Sequence, residues 1–214
     1  MSRTTRGYLI SIAGVAFLST TGVLIGLLTG QYAMPPLLLA FWRDLFVSLA
    51  LLPALFFLRR SLLRVERKHW RFFLLYGFTL SVFNAMWTLS VKLNGAAVAT
   101  VLAYGSTGFT ALLAWWLFRE QLDLPKIAAV VLSLGGCVLV ANAYDPAVWR
   151  TGPLALSMGL LSGLLYAIFT LFGKEAAHRG LSPWLTALVS FGVAAVFLLV
   201  YNQFSFLPGT AASA

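Results

Sequence analysis

Charged residues are scarce in this sequence. Asp, Glu, Lys and Arg make up 10% of its 214 residues, whereas a soluble domain carries about 25%. Hydrophobic residues make up 60%, and the mean hydropathy is +0.89. Because a soluble enzyme needs more charge than this on its surface, that class is excluded. The composition indicates a helical membrane protein instead.

Cysteine and histidine are almost absent as well. The single cysteine, Cys137, excludes a disulfide framework and a cysteine metal site, and we interpret it as packing within its helix. The two histidines, His69 and His178, lie in polar segments between apolar runs, so a Ser-His pair within the bilayer is not available. The sequence has no pair of aspartates of the kind that would indicate a metal-dependent enzyme of lipid metabolism. The sequence therefore predicts no enzyme, no cofactor and no metal site.

Long apolar runs account for most of the chain. A helix needs about 20 apolar residues to cross the hydrocarbon core of a bilayer. The predicted spans are residues 8–28, 37–58, 72–92, 96–118, 124–142, 154–173 and 184–202. We interpret the first run as a retained helix, since it lacks the small-residue cleavage pattern of a signal peptide. The predicted fold is an all-α, polytopic transmembrane bundle of about seven spans.

Basic residues predict how these spans are oriented. The net charge is +9. Six basic residues lie between the second and third spans: Arg59, Arg60, Arg64, Arg67, Lys68 and Arg71. Lys and Arg near span ends are retained in the cytoplasm, and a cytoplasmic N-terminus leaves only Lys92 and Arg150 on the opposite side. A nucleic-acid partner is excluded, because no soluble segment is long enough to build a phosphate-binding surface.

The chain resembles itself at an offset of about 145 residues. The matched pairs are Gly7 with Gly152, Leu9 with Leu154, and Gly14 with Gly159. The first unit, residues 1–145, would hold five spans, and this odd number makes the second unit, residues 146–214, enter the membrane from the opposite side. Inverted repeats with a site at their interface are a recurring plan of secondary transporters. The sequence thus predicts an inverted five-helix repeat whose second copy is incomplete, with two helices.

Polar side chains recur at helical spacing in three spans. They are Ser81, Asn84, Thr88 and Lys92 in the third span, Thr100, Tyr104 and Thr107 in the fourth, and Ser162, Tyr166 and Thr170 in the sixth. Such groups usually face the bundle interior or a water-filled cavity, although they also serve as hydrogen bonds between helices. We favour a lined cavity, because bonding between helices would not require Trp87, Tyr104 and Tyr166 among these residues.

Arg43 and Asp44 lie about two turns inside the second span. Adjacent helical residues point about 100° apart, so we expect at most one of them to face a cavity. Lys92 is a candidate partner for Asp44, and its alternative is to extend to the membrane interface. Asp44 is the only acidic residue in a predicted span, so proton coupling stays open. An inward-facing Arg43 would bind a carboxylate or phosphate through two parallel hydrogen bonds.

Several short motifs occur in the order and spacing of a known family. Pro36 is followed seven residues later by Arg43, and Tyr166 is followed by alanine where the family often has Trp-Ala. The stretch NAMWTLSVKLNGAAVATVLAYGSTGFTALLAWWLFRE, residues 84–120, is similar to the family's third and fourth helices with their terminal glutamate, Glu120. Across its whole length the chain resembles the EamA-like branch of the drug/metabolite transporter superfamily.

Three features depart from the pattern of this family. Thr107 stands where its fourth helix has a proline, and Thr21 stands where its first helix has a tryptophan. Members typically have ten helices in two inverted five-helix halves. We therefore expect a shortened or divergent member, with seven of the ten helices and an incomplete pocket.

The resemblance implies an inner-membrane carrier that exports or exchanges small amphipathic metabolites, amino-acid-like or drug-like, by alternating access. The residues expected to bind the substrate are Arg43, Asn84, Trp87, Thr88, Tyr104, Thr107 and Tyr166. The expected partners are this substrate and membrane lipids, and a homodimer is left open. The alternative is a non-transporting membrane scaffold or assembly partner, which the shorter second unit favours.

Overall fold

The computed structural model describes residues 3–58, 60, 66–119, 121, 123–140, 142–149 and 152–205, and most of these residues are helical. The helices are α1 (Arg3–Gly30), α2 (Pro36–Leu58), α3 (Trp70–Tyr104), α4 (Ser106–Phe118), α5 (Leu124–Val140), α6 (Pro153–His178) and α7 (Pro183–Ser205). Short 3-10 helices, Arg67–His69 and Pro146–Trp149, precede α3 and α6. The predicted all-α membrane bundle is confirmed. Glu120 and the basic residues Arg59, Arg64 and Arg150 lie outside the described residues.

Prolines set the first residue of three helices. Pro36, Pro153 and Pro183 begin α2, α6 and α7, because a proline in the first turn lacks only an N–H that would have no helical partner. At the other end of α6, Gly180 adopts a φ of 69°, a left-handed conformation in which glycine commonly ends a helix. The sequence thus predicts the start of each of these helices to within one residue.

Gly95 divides α3 into two arms, residues 70–94 and 96–104. Its φ of 75° and ψ of 161° belong to a region that is essentially open to glycine alone. A straight helix would hold Ser90 and Leu102 about 18 Å apart, yet a Cβ atom built on Gly159 of α6 would contact both. The two arms therefore fold back and lie side by side, as two successive spans do.

Five helical stretches of the described chain are long and apolar enough to cross a membrane. One of them, Arg67–Leu117, has 51 residues and includes the fold-back at Gly95, so it holds two apolar helices. Helix α5 has 17 residues, which is the lower limit for a spanning helix. The count of about seven spans, the inverted repeat and the boundary between residues 145 and 146 stay predictions.

Helix α3 is the centre of the bundle. Helix α6 packs against both of its arms and against α4, while α7 packs against α2 and the first arm. Helix α6 runs antiparallel to this first arm, because Asn94 bonds to Ala155 near one end and Tyr76 stacks on Phe172 near the other. Helix α1 contacts α3 on another side, and most of α5 is exposed. Residues from all four helices α1, α3, α4 and α6 therefore meet around the centre of α3.

Replacing Gly95 by alanine should lower the free energy of unfolding by about 1–3 kcal/mol, because alanine would be strained in this backbone conformation. No neighbouring atom lies within 4 Å of the new Cβ atom, so the loss would come from the backbone alone. Gly26→Ala is the matched control: its surroundings are equally open, and alanine is favoured within a helix. Thermal unfolding in detergent measures both variants, and equal midpoints would contradict the fold-back at Gly95.

Candidate functional site

A cavity of about 220 Å³ lies between α1, α3, α4 and α6; we call it the central cavity. Four aromatic side chains line it, Phe83, Trp87, Tyr104 and Tyr166. Both arms of α3 contribute to its wall, so the fold-back at Gly95 creates it. Along the helix axes the cavity lies near the middle of the bundle, since Tyr166 is near the midpoint of the 26-residue helix α6.

The aromatic wall follows from helical spacing. Phe83 and Trp87 are one turn apart on α3, and their ring centroids are 6.4 Å apart in a stacked arrangement. The Phe83 ring also contacts Tyr166 across the α3–α6 interface, at 5.1 Å between centroids. Gly22 of α1 has no side chain that would separate α1 from Trp87 and Thr100. The resulting surface can stack on a planar apolar group.

The serine and threonine hydroxyls of the predicted stripes donate to backbone carbonyl oxygens three or four residues earlier in the chain. Thr100 Oγ1 donates to the carbonyl oxygen of Ala96 at 2.6 Å, and Thr88 Oγ1 donates to that of Asn84 at 2.7 Å. Ser81, Thr107 and Ser162 hydroxyls make equivalent bonds. This local bonding satisfies the donor inside an apolar medium and leaves oxygen lone pairs as acceptors. Where such a hydroxyl lines the cavity, as Thr100 does, it can accept a hydrogen bond from a ligand.

A buried polar cluster formed by Arg43, Asp44 and Asn84 lies beside the central cavity. Asp44 is fully buried, and its two carboxylate oxygens accept from Asn84 Nδ2 at 2.8 and 2.7 Å. Arg43 Nε is 3.6 Å from Asp44 Oδ1. The candidate pairing of Asp44 with Lys92 is wrong, because Lys92 is exposed and Asn84 binds the carboxylate from α3. Arg43 reaches its neighbour because its side chain is long, although the two Cα–Cβ bonds diverge.

One guanidinium nitrogen of Arg43 makes no hydrogen bond with the described residues. This atom, Nη2, is buried. The guanidinium carbon of Arg43 lies 5.4 Å from the centre of the Trp87 ring, a distance at which a cation is attracted to the ring face. Since Trp87 also lines the central cavity, its ring is the contact between the cavity and the half-buried Arg43 side chain.

Three of the seven residues expected to bind substrate, Trp87, Tyr104 and Tyr166, line the central cavity. The other four do not belong to its lining. Asn84 bonds to Asp44, Thr88 is fully buried, Thr107 donates to the Tyr104 carbonyl, and Arg43 lies behind Trp87. Thr88 follows Trp87 directly and so points about 100° away from it. Asn84, one turn before Thr88, is turned toward Asp44 of α2.

The sequence-based choice of site residues missed eight residues of the cavity lining, among them Phe83 and Ser106. Phe83 lies one turn before Trp87, and this i, i+4 spacing of two aromatics is the signal that would have found it. Ser106 follows the break in the helix at Gly105 and is buried against the cavity. Its spacing of three residues from Ala103, which also lines the cavity, is the signal that would have found it.

Comparison with known proteins gives a consistent family assignment. Residues 5–142 match the model of the EamA-like transporter family. An uncharacterized transporter of Archaeoglobus fulgidus is 26% identical over 211 residues, covering 94% of this chain and 72% of the relative. The uncharacterized transporter YwfM of Bacillus subtilis is 29% identical over 183 residues, covering 85% and 60%. The S-adenosylmethionine uptake transporter of Rickettsia conorii is 25% identical over 169 residues, covering 77% and 56%.

The matched region is shorter than each of these relatives. It spans less than two thirds of the Bacillus and Rickettsia proteins. No solved structure matches the chain significantly.

Proposed function

Since the chain belongs to the EamA-like transporter family, we propose that it carries small amphipathic metabolites across the membrane by alternating access, as an exporter or exchanger. The family and the relatives named as transporters indicate a membrane transporter and not an enzyme. The observation that supports this cargo class is the central cavity, in which four aromatic rings lie at mid-depth beside hydroxyl acceptors. Membrane proteins of this type place their substrate sites near the bilayer midplane.

The cargo we propose has a planar apolar part and at least one polar or anionic group. The planar part would stack on Phe83, Trp87 and Tyr166, at distances typical of aromatic pairs. An anionic group would bind Arg43 Nη2 once the Trp87 ring turns aside, because this donor is buried without an acceptor. Arg43 would thus act after substrate entry and not as a permanent part of the cavity wall. S-adenosylmethionine, named for the Rickettsia relative, is amphipathic and belongs in the tested panel.

We further propose a cell inner membrane location with the N-terminus in the cytoplasm. The described basic residues Arg60, Arg67, Lys68 and Arg71 all lie at the connection of α2 and α3 or directly after it, which would then be cytoplasmic. The exposed apolar faces of α1 and α5 would contact lipid, and a homodimer stays a prediction. The orientation is measured by the access of an impermeant thiol reagent to a cysteine that replaces Lys68, in sealed vesicles of known sidedness. Labelling only from the side opposite the cytoplasm would contradict the proposed orientation.

Replacing Trp87 by alanine should reduce uptake of the transported metabolite about tenfold, since the loss of aromatic contacts is worth about 1.4 kcal/mol at the upper end. Purified protein in liposomes is tested with a mixed metabolite panel. Trp116→Ala is the matched control, because Trp116 is exposed on the outside of α4 and outside the cavity lining. Equal uptake by both variants would remove Trp87 from the site. If uptake by vesicles with the unaltered protein is no higher than uptake by protein-free vesicles, the carrier function is wrong and the non-transporting scaffold is favoured.

A further inference from the structure

A second cavity, of about 170 Å³, lies between α3, α6 and α7; we call it the turn cavity. Leu181 and Pro183 line it, which places it beside the turn that joins α6 to α7. Tyr76 of α3, Phe169 of α6 and Ser190 of α7 also belong to its wall. The turn cavity therefore lies toward one end of the bundle, whereas the central cavity is near mid-depth.

The two cavities lie along one seam between α3 and α6. On α6, Tyr166 lines the central cavity, while Phe169 and Gly173 line the turn cavity. The spacing i, i+3, i+7 puts these three positions on one helical face. On α3, Phe83 lines the central cavity and Tyr76 the turn cavity, two turns apart on one face. Because the helices are antiparallel, the same seam leads from one cavity to the other.

A layer of aromatic rings separates the two cavities. The ring centroids of Tyr76 and Phe169 are 4.8 Å apart, and those of Tyr166 and Phe169 are 6.2 Å apart. Two helical turns measure about 11 Å, so little more than this layer fits between the cavities. Gly173 lies under the Tyr76 hydroxyl, since a Cβ atom there would be 3.2 Å from it. A side chain at this position would press on the Tyr76 hydroxyl, so the glycine permits the close approach of the ring to α6.

We propose that Tyr76 and Phe169 form a gate between the central cavity and the turn cavity, and that the turn cavity is a second, transient site for the apolar part of the cargo. This proposal rests on the transport function proposed above. When the rings are in contact, the passage is closed. When they rotate apart, the turn cavity has room for a ring, because an apolar cavity of about 150 Å³ holds benzene. The local bonds of the Thr186 and Ser190 hydroxyls leave acceptors for a polar group in transit.

The gate is tested with a thiol placed in the central cavity by Ala103→Cys, in protein whose Cys137 is replaced by alanine. A membrane-impermeant thiol reagent is added in turn to each side of vesicles of known orientation. With Phe169→Ala, labelling from the side of the α6–α7 turn should rise about tenfold, equivalent to about 1.4 kcal/mol, the upper range of an aromatic pair contact. Phe197→Ala is the matched control, because this ring packs on Phe78 and lines neither cavity.

The outcomes separate the gate from the transport function. Equal labelling of the Phe169→Ala and control proteins overturns the gate, and so does rapid labelling from the turn side before the ring is removed. Phe169→Leu is measured in parallel, so that a folding defect of the alanine variant leaves a second result, for which an intermediate rate is expected. Labelling does not require transport. If labelling of the Phe169→Ala protein increases but the unaltered protein takes up no metabolite, the proposed transport function is wrong. If the unaltered protein takes up a metabolite but labelling is unchanged by Phe169→Ala, the proposed gate is wrong.

Discussion

The Asn84→Leu variant is expected to lose about 3 kcal/mol of unfolding free energy, because it leaves a buried carboxylate without its hydrogen-bond donor. Asp44 is fully buried, and both of its oxygens accept from Asn84 Nδ2. Arg43 Nε, at 3.6 Å, is too far away to replace these bonds. Leucine has the same number and branching of side-chain heavy atoms as asparagine, so the loss would come mainly from the polar contact. Unfolding in mixed micelles with increasing SDS gives the free energy.

Two further variants serve as controls for the polar cluster. Thr88 lies one turn from Asn84 and is also fully buried, but its hydroxyl bonds only to its own helix in this structure; Thr88→Val should therefore cost less than about 1 kcal/mol. The triple replacement Arg43→Met, Asp44→Leu and Asn84→Leu should recover most of the loss, because a buried polar network can be exchanged for apolar residues. A loss in Asn84→Leu no greater than in Thr88→Val would contradict a structural role of the cluster.

Gly163→Leu is expected to destabilise the bundle by about 3 kcal/mol or to prevent folding, because overpacking forces backbone shifts. A Cβ atom on Gly163 would lie 2.8 Å from the carbonyl oxygen of Leu102 and 3.3 Å from that of Ala103. These are backbone atoms of the second arm of α3, so they cannot turn away as a side chain can. The second arm would have to move, and with it the wall of the central cavity. Yield of monodisperse protein and thermal unfolding measure the effect.

Gly14→Leu is the matched control for Gly163→Leu. Both glycines are within helices, but no neighbouring atom lies within 4 Å of a Cβ at Gly14, and leucine favours a helix over glycine. This variant should be as stable as the original protein or slightly more stable. If the two variants behaved alike, the close approach of α6 to the second arm would be contradicted.

The sequence predicted the all-α fold class and the positions of most helices correctly, because both depend on residues close together in the chain. Apolar runs of about 20 residues can only be satisfied as helices in lipid, and prolines at positions 36, 153 and 183 coincide with helix starts. The break at Gly95 falls between two predicted spans, where the sequence favoured no helix. The interruption at Gly105 was not predicted, because Gly105 stands inside a continuous apolar run.

The candidate site was predicted only in part. Helical spacing correctly shows which side chains share a face, as with Asn84 and Thr88, but not toward which neighbour that face is turned. Helix α2 provides Asp44 to this face, so the stripe forms a packed interface there. The aromatics Trp87 of α3 and Tyr166 of α6 line the central cavity because the faces that carry them border a gap beside α1.

Composition and spacing alone determined that this chain is a helical membrane protein, where most of its helices begin, and that Trp87, Tyr104 and Tyr166 belong near a cavity. These properties depend on residues close together in sequence and on the exclusion of water from the bilayer. Only the tertiary structure decided that Asn84 and not Lys92 binds Asp44, that Arg43 lies behind Trp87, and that two cavities share the α3–α6 seam. Each of these depends on how a helix is rotated about its axis and which helix it meets, and the packing of the whole bundle sets both.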